Sequence, residues 1–139
     1  MKVVIFSPTD SYSAEMLPLT EADTVTVVCW MNHGDGGEGR VALPQGRIST
    51  RIVAFAARNV VTRTIVRILP LDTGARFWRA TRSVARVQEA VHHADLLIAP
   101  ERDGAFAVWS WRRRLLRKGR DIPAVSGYPA GRTAITKML

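Results

Sequence analysis

Cysteine is almost absent from this chain of 139 residues, and long apolar runs are absent altogether. The single cysteine, Cys29, excludes a disulfide within the chain and favours a reducing compartment. No apolar stretch approaches the roughly 20 residues that a membrane-spanning helix requires. The apolar run after Lys2 ends at Phe6, which is too short for a secretory signal. We therefore expect a cytoplasmic protein, with Cys29 as a core residue.

Acidic residues are also scarce: 12 of them stand against 20 lysines and arginines, and the formal net charge is +8. Most of the cations are arginines, which bind phosphate through two parallel hydrogen bonds. A nucleic acid, an anionic lipid surface or a phosphorylated substrate would each suit this charge. Alternatively, the high arginine content reflects a bias in overall composition and has no role in binding.

Several motifs that carry chemistry are missing. There is no Gly-x-Ser-x-Gly nucleophile elbow, and the glycine-rich segment from Asn32 to Arg40 has neither the P-loop pattern nor the dinucleotide fingerprint. His92 and His93 are adjacent, so they face different directions on a helix, and no second group of ligands has useful spacing. We predict no metal site and no cofactor.

A strand, a helix and a second strand follow one another in the last third of the chain. Asp95 to Ala99 is a short apolar run, Ala105 to Lys118 has helical periodicity and ends at Gly119, and Ile122 to Ser126 is again apolar. Two strands joined by one helical crossover are normally parallel. This unit predicts a parallel sheet.

The remaining apolar patterns extend that sheet and cover it. They predict strands over Lys2 to Ser7, Thr24 to Trp30 and Val41 to Pro44, and helices over Ile48 to Leu69 and Thr73 to Ala94. The fold class is therefore α/β: a single Rossmann-like domain over residues 1–139, with a mostly parallel sheet of four to five strands and helices on both faces.

The ligand crevice of such a sheet lies outside the carboxyl ends of its strands. Four predicted loops meet there, at residues 7–13, 30–40, 100–104 and 126–131. The candidate catalytic residues in these loops are His33 and Asp10. Histidine titrates near neutral pH, and an aspartate carboxylate can accept or donate a proton. Asp103 has a competing role as a helix cap. The candidate ligand-binding residues are Ser7, Thr9, Ser11, Glu101, Arg102, Asp103, Gly104 and Ser126.

Two features suggest a charged surface. Arg79, Arg82 and Arg86 form a basic stripe along the predicted helix from Thr73 to Ala94, which is either a solvated face or a docking surface. Trp109 and Trp111, followed by a basic turn, suit a membrane headgroup interface. Helical geometry predicts that Trp109 is buried and that Trp111 lies at an edge.

The chain resembles the N-terminal half of glycosyltransferases with the two-domain GT-B fold. The matching segments are Met1 to Ser7, Ala94 to Ala99, Ala105 to Arg114 and Ile122 to Ser126, which cover a first strand and a strand, helix, strand unit. In that family the nucleotide-sugar site lies chiefly in a C-terminal domain with a Glu-rich motif, which has no counterpart in this sequence. The resemblance implies an acceptor-binding or accessory domain for cell-surface polysaccharide or glycolipid synthesis, catalytically incomplete alone.

The resemblance also implies partners. These are a lipid-linked phosphate or sugar acceptor, a partner chain that supplies a nucleotide-sugar domain, and an anionic surface at the inner membrane. Two alternatives stay open. One is a small stand-alone enzyme that processes nucleotides or nucleosides, with a crevice built from Asp10, Glu101 and Asp103. The other is a basic nucleic-acid-binding module, although no helix-turn-helix, zinc finger or aromatic strand platform supports it.

Overall fold

Five parallel strands form one sheet in the computed structural model, which describes residues 1–31, 39–44 and 73–139. The spatial order is β3-β2-β1-β4-β5, and every neighbouring pair is parallel. The predicted helix from Ile48 to Leu69 and the candidate residue His33 lie outside the described residues. The strands are β1 (Lys2–Phe6), β2 (Thr24–Trp30), β3 (Arg40–Leu43), β4 (Leu96–Ala99) and β5 (Ala124–Ser126).

The predicted α/β fold is confirmed, and helices cover both faces of the sheet. The strands are apolar on both faces because their apolar runs are continuous. Successive residues of β1 therefore lie alternately in two separate hydrophobic cores, one on each face of the sheet. Phe6 packs with Phe77, Trp111 and Leu115 on one face, and Ile5 lies on the other face with Leu17 and Ile135. The helices of the described part are α1 (Thr73–Ser83), α2 (Ala85–His92), α3 (Arg102–Leu116) and α4 (Tyr128–Met138), with a short 3₁₀ turn at Ala14–Met16.

The long helix predicted from Thr73 to Ala94 is wrong as one element, because α1 and α2 are separated at Val84. Val84 has extended backbone angles, φ −102° and ψ 113°, and its carbonyl accepts hydrogen bonds from the amides of Val87 and Gln88. The Ser83 hydroxyl donates to the Ala80 carbonyl at 2.8 Å, a local bond that competes with the helical ladder. The bend lets Phe77 of α1 and Val87 of α2 both reach the core.

The positions predicted for the two tryptophans of α3 are reversed. Trp111 is 2% exposed and its Nε1 donates to Thr81 Oγ1 at 3.0 Å, whereas Trp109 is 56% exposed. Trp111 shares its helix face with Ala107 and Leu115, each four residues away, and this face packs on the sheet. Trp109 therefore lies largely in solvent, at the edge of the face that packs on the sheet.

The loop predicted over residues 126–131 is also wrong, since α4 begins at Tyr128. Gly127 precedes it with φ +83°, a conformation that glycine adopts readily, and Pro129 stands in the first turn, where proline is tolerated. Ile135 is fully buried and anchors α4 on the second face of the sheet. Among the described residues, no helix has the length and apolar character needed to cross a membrane.

Helix α3 begins at Arg102, three residues earlier than predicted, and Gly104 in its first turn allows a close approach to the end of β1. A Cβ at Gly104 would lie 2.0 Å from the Phe6 carbonyl oxygen, so any side chain there collides with rigid backbone. The other end of α3 lies at Leu116, two residues before the predicted end at Lys118, and Gly119 follows with φ +77°.

We expect Gly104→Ala to lower the free energy of unfolding by about 3 kcal/mol, because the helix has to move off β1. Urea unfolding followed by circular dichroism measures this loss. Gly119→Ala is the control, since a Cβ there meets nothing within 4 Å and only the left-handed φ is costly, by about 1 kcal/mol. Equal losses in the two variants would contradict the proposed close approach.

Candidate functional site

The sheet has a topological switch point between β1 and β4. From β1 the chain passes to β2 and β3 on one side of the sheet, and β4 and β5 then extend the other side. The loops that follow β1 and β4 therefore diverge at the carboxyl ends of two adjacent strands. Ligands of open parallel sheets bind at such a position.

A carboxylate and three hydroxyls join these two loops. Glu101, which follows β4, accepts hydrogen bonds at Oε1 from three side chains that follow β1: Ser7 Oγ at 2.6 Å, Thr9 Oγ1 at 2.7 Å and Ser11 Oγ at 3.1 Å. The Ser11 amide also donates to Ser7 Oγ at 2.9 Å. The structure thus brings together four of the predicted ligand-binding residues, and we call this group the Glu101 cluster.

The loop after β1 is held in place by its backbone and by an ion pair. The Ser7 amide donates to the Val28 carbonyl, and the Asp10 amide turns back to the Ser7 carbonyl, each at 3.0 Å. Asp10 has φ +53°, which is uncommon for a residue with a side chain. Its carboxylate accepts from Arg40 Nε at 2.8 Å and 3.1 Å. This ion pair connects Asp10, a predicted catalytic residue, to Arg40 at the start of β3.

Tyr128 joins the site, although sequence reasoning missed it. Its hydroxyl lies 3.4 Å from Ser11 Oγ, and its ring lies 6.4 Å from the ring of Tyr12, centroid to centroid. Burial raises the pKa of Tyr128, the hydrogen bond with Ser11 lowers it, and the charge of Glu101 raises it further. Burial is likewise the largest cause of the raised pKa of Tyr12. The position of Tyr128, just after the predicted fifth strand, was the signal that could have found it.

The other predicted ligand-binding residues take no part in the hydrogen bonds of the Glu101 cluster. Arg102 is exposed in the first turn of α3, and Gly104 is buried against Phe6. The Ser126 hydroxyl donates to the Ala99 carbonyl at 3.4 Å. Asp103 is not the helix cap, because Glu101 occupies that position and Asp103 lies within the first turn. A carboxylate there still interacts favourably with the helix dipole.

The electrostatics of this edge favour a neutral ligand over a phosphate. The start of a helix ordinarily attracts anions through its free amides. Here Glu101 and Asp103 place two carboxylates at the start of α3, against the single exposed cation of Arg102 between them. A phosphate at that position would be repelled by both, whereas hydroxyl groups can donate to them.

The predicted basic stripe is divided by the bend between α1 and α2. Arg82 lies over the ring of Trp78 on α1, with its guanidinium carbon 4.9 Å from the ring centroid. Arg86 lies on α2 and lines a cavity with Lys2 and His93 near the amino ends of the strands. Arg79 Nε donates to the Ala75 carbonyl at 3.3 Å.

Within residues 1–31, 39–44 and 73–139, no three His, Cys, Asp or Glu side chains form a group that could hold a metal ion. Comparison of the chain with protein-family models, curated proteins and solved structures gives no match. The resemblance to GT-B glycosyltransferases stays a prediction.

We expect Tyr128 to titrate above pH 10 in a Tyr12→Phe variant, where Tyr128 is the sole tyrosine. Adding Glu101→Gln should lower this pKa, because it removes a negative charge that opposes formation of the phenolate. Absorbance at the phenolate band against pH measures both values. A pKa that stays the same after Glu101→Gln would contradict the placement of the carboxylate near the phenol.

Proposed function

We propose that this domain binds the acceptor, or serves as an accessory domain, in a glycosyltransferase-like system that makes a cell-surface polysaccharide or a glycolipid. The observation that carries the proposal is the Glu101 cluster, which lies at the switch point of the sheet and consists of hydroxyls around one carboxylate. A ligand rich in hydroxyls is the chemical complement of such a group.

The hydrogen-bonding capacity of the cluster supports this proposal. Thr9 and Ser11 are exposed, so the hydroxyls of a ligand can replace theirs on Glu101 Oε1. Glu101 Oε2 accepts no hydrogen bond from the described residues, so it is available to a ligand donor. Hydrogen bonds to a charged acceptor contribute about twice as much as neutral ones, which favours Glu101 as the principal contact.

Two aromatic rings next to the cluster suit the apolar face of a sugar. Tyr12 and Tyr128 are both half-buried, and their rings are inclined by 38° to each other. A pyranose ring has C–H groups on its faces and hydroxyls around its rim. One ligand can therefore place C–H groups against a tyrosine and hydroxyls on Glu101.

The alternative of a stand-alone nucleotide-processing enzyme is less well supported. The site has no glycine-rich phosphate loop of known pattern in its described part, and the start of α3 carries the carboxylates of Glu101 and Asp103. In the proposed system the nucleotide sugar is bound by a partner chain or another domain. A lipid-linked acceptor would place the domain at the cytoplasmic face of the inner membrane.

Binding of simple glycosides tests the proposal. We expect saturation-transfer NMR to show binding of methyl hexopyranosides by the purified chain, and little binding of mononucleotides or nucleoside-diphosphate sugars. Glu101→Gln should weaken glycoside binding by about tenfold or more, because the charged acceptor is lost.

Glu21→Gln is the matched control for that variant. Glu21 is exposed and precedes β2, so it lies at the opposite end of the strands from the Glu101 cluster. It should leave glycoside binding unchanged. Binding of mononucleotides without glycosides would overturn the proposal and favour the stand-alone enzyme.

A further inference from the structure

A groove between α1 and α3 is lined by aromatic rings and arginines. It has a volume of about 340 Å³, and its lining includes Trp78, Phe106, Trp109, Arg82, Arg113 and Arg117. The groove lies on the outer side of the helix layer, since Trp111 and Leu115 of α3 face the sheet. This groove, which we call the α1/α3 groove, has no role in the acceptor site proposed above.

The rings of the groove form one continuous aromatic surface. The centroid of Phe106 lies 6.3 Å from that of Trp78 and 6.1 Å from that of Trp109. Phe106 is 38% exposed and Trp109 56% exposed, which is unusual for large apolar side chains. Leu116 is 47% exposed and lies seven residues after Trp109, on the same side of the helix.

In the part of the chain that the structure describes, three arginines around these rings form no salt bridge with an acidic side chain. Within the described residues, Arg82, Arg113 and Arg117 make no ion pair, whereas nearby Arg112 pairs with Asp121. Helix α1 contains no acidic residue, and α3 contains none after Asp103. The groove therefore combines exposed apolar area with uncompensated positive charge.

We infer that the α1/α3 groove docks this domain onto an anionic phospholipid surface. Exposed tryptophan, phenylalanine and leucine partition into the boundary between headgroups and acyl chains, and the arginines bind headgroup phosphates.

A single-stranded nucleic acid fits these observations less well. Such ligands stack their bases on open aromatic faces. One face of Trp78 is covered by the guanidinium of Arg82, and one face of Trp109 by that of Arg113 at 5.4 Å. The exposed Leu116 favours partitioning into lipid, whereas its aliphatic side chain has no aromatic face on which a base could stack. The charge and the apolar area together therefore favour a membrane.

Sedimentation with lipid vesicles tests the inference directly. The wild-type chain should bind vesicles of phosphatidylcholine mixed with phosphatidylglycerol, bind phosphatidylcholine vesicles weakly, and be released by salt. Arg113→Glu with Arg117→Glu should weaken binding to the anionic vesicles by at least about twentyfold.

The matched control is Arg86→Glu with Lys137→Glu, which changes the net charge equally at exposed positions outside the groove. This control should bind far more tightly than the groove variant. Equal losses would overturn the inference, because attraction would then depend on net charge alone. Circular dichroism of both variants is measured to check that they are folded.

Lipids with brominated acyl chains provide a second measurement, on the wild-type chain itself. These lipids should quench the tryptophan fluorescence of the bound protein. Trp109→Phe should remove most of that quenching, because Trp109 is the more exposed of the two tryptophans that line the groove. Quenching as strong in Trp109→Phe as in the wild-type chain would overturn the inference. So would tighter binding to an oligo-deoxythymidine than to anionic vesicles.

The acceptor site and the groove are tested separately. Glu101→Gln should abolish most glycoside binding and leave vesicle binding unchanged, since Glu101 does not line the groove. The groove variant should do the reverse. Failure of one proposal therefore leaves the other standing.

Discussion

The close approach of α3 to the carboxyl end of β1 is the constraint on which this structure depends. At Gly104 the helix backbone lies against the Phe6 carbonyl, at a distance that leaves no room for a side chain. This contact places the start of α3, and with it Glu101, beside the loop that follows β1. The hydrogen bonds of Ser7, Thr9 and Ser11 to one carboxylate oxygen are a consequence of that placement. A helix standing further from β1 would leave these groups separated and the switch point without its polar cluster.

Electrostatics then decide which ligands suit this edge of the sheet. Many parallel α/β folds present the free amides of a helix start to a phosphate. In this chain Glu101 and Asp103 occupy the start of α3, and the Asp10 carboxylate is paired with Arg40 nearby in the loop after β1. Negative charge at the helix start disfavours an anion and favours donors such as sugar hydroxyls. The proposed acceptor role follows from that preference.

The same helix presents a different chemistry on its outer side. Packing of Trp111 and Leu115 against the sheet turns Trp109, Arg113 and Leu116 toward solvent. The net charge of +8 is thus partly concentrated: within the described residues, Arg82, Arg113 and Arg117 lie beside the exposed aromatic rings and make no ion pair. One helix consequently carries the polar cluster at its start and the apolar, basic groove along its length. These are the two separate surfaces that we propose contact an acceptor and a lipid surface.

Local patterns in the sequence determined the strands, the parallel sheet and the end of α3 before Gly119, because apolar periodicity and glycine act over a few residues. They also pointed to Ser7, Thr9, Ser11 and Glu101, since loops at the carboxyl ends of parallel strands share one edge. Only the tertiary structure decided the bend at Val84, the exposure of Trp109 in place of Trp111, and the start of α4 at Tyr128. The burial of Trp111 in place of Trp109 depends on contacts between residues far apart in the chain, because the sheet selects which face of α3 is buried. The bend at Val84 likewise brings Phe77 and Val87 into one core with the sheet.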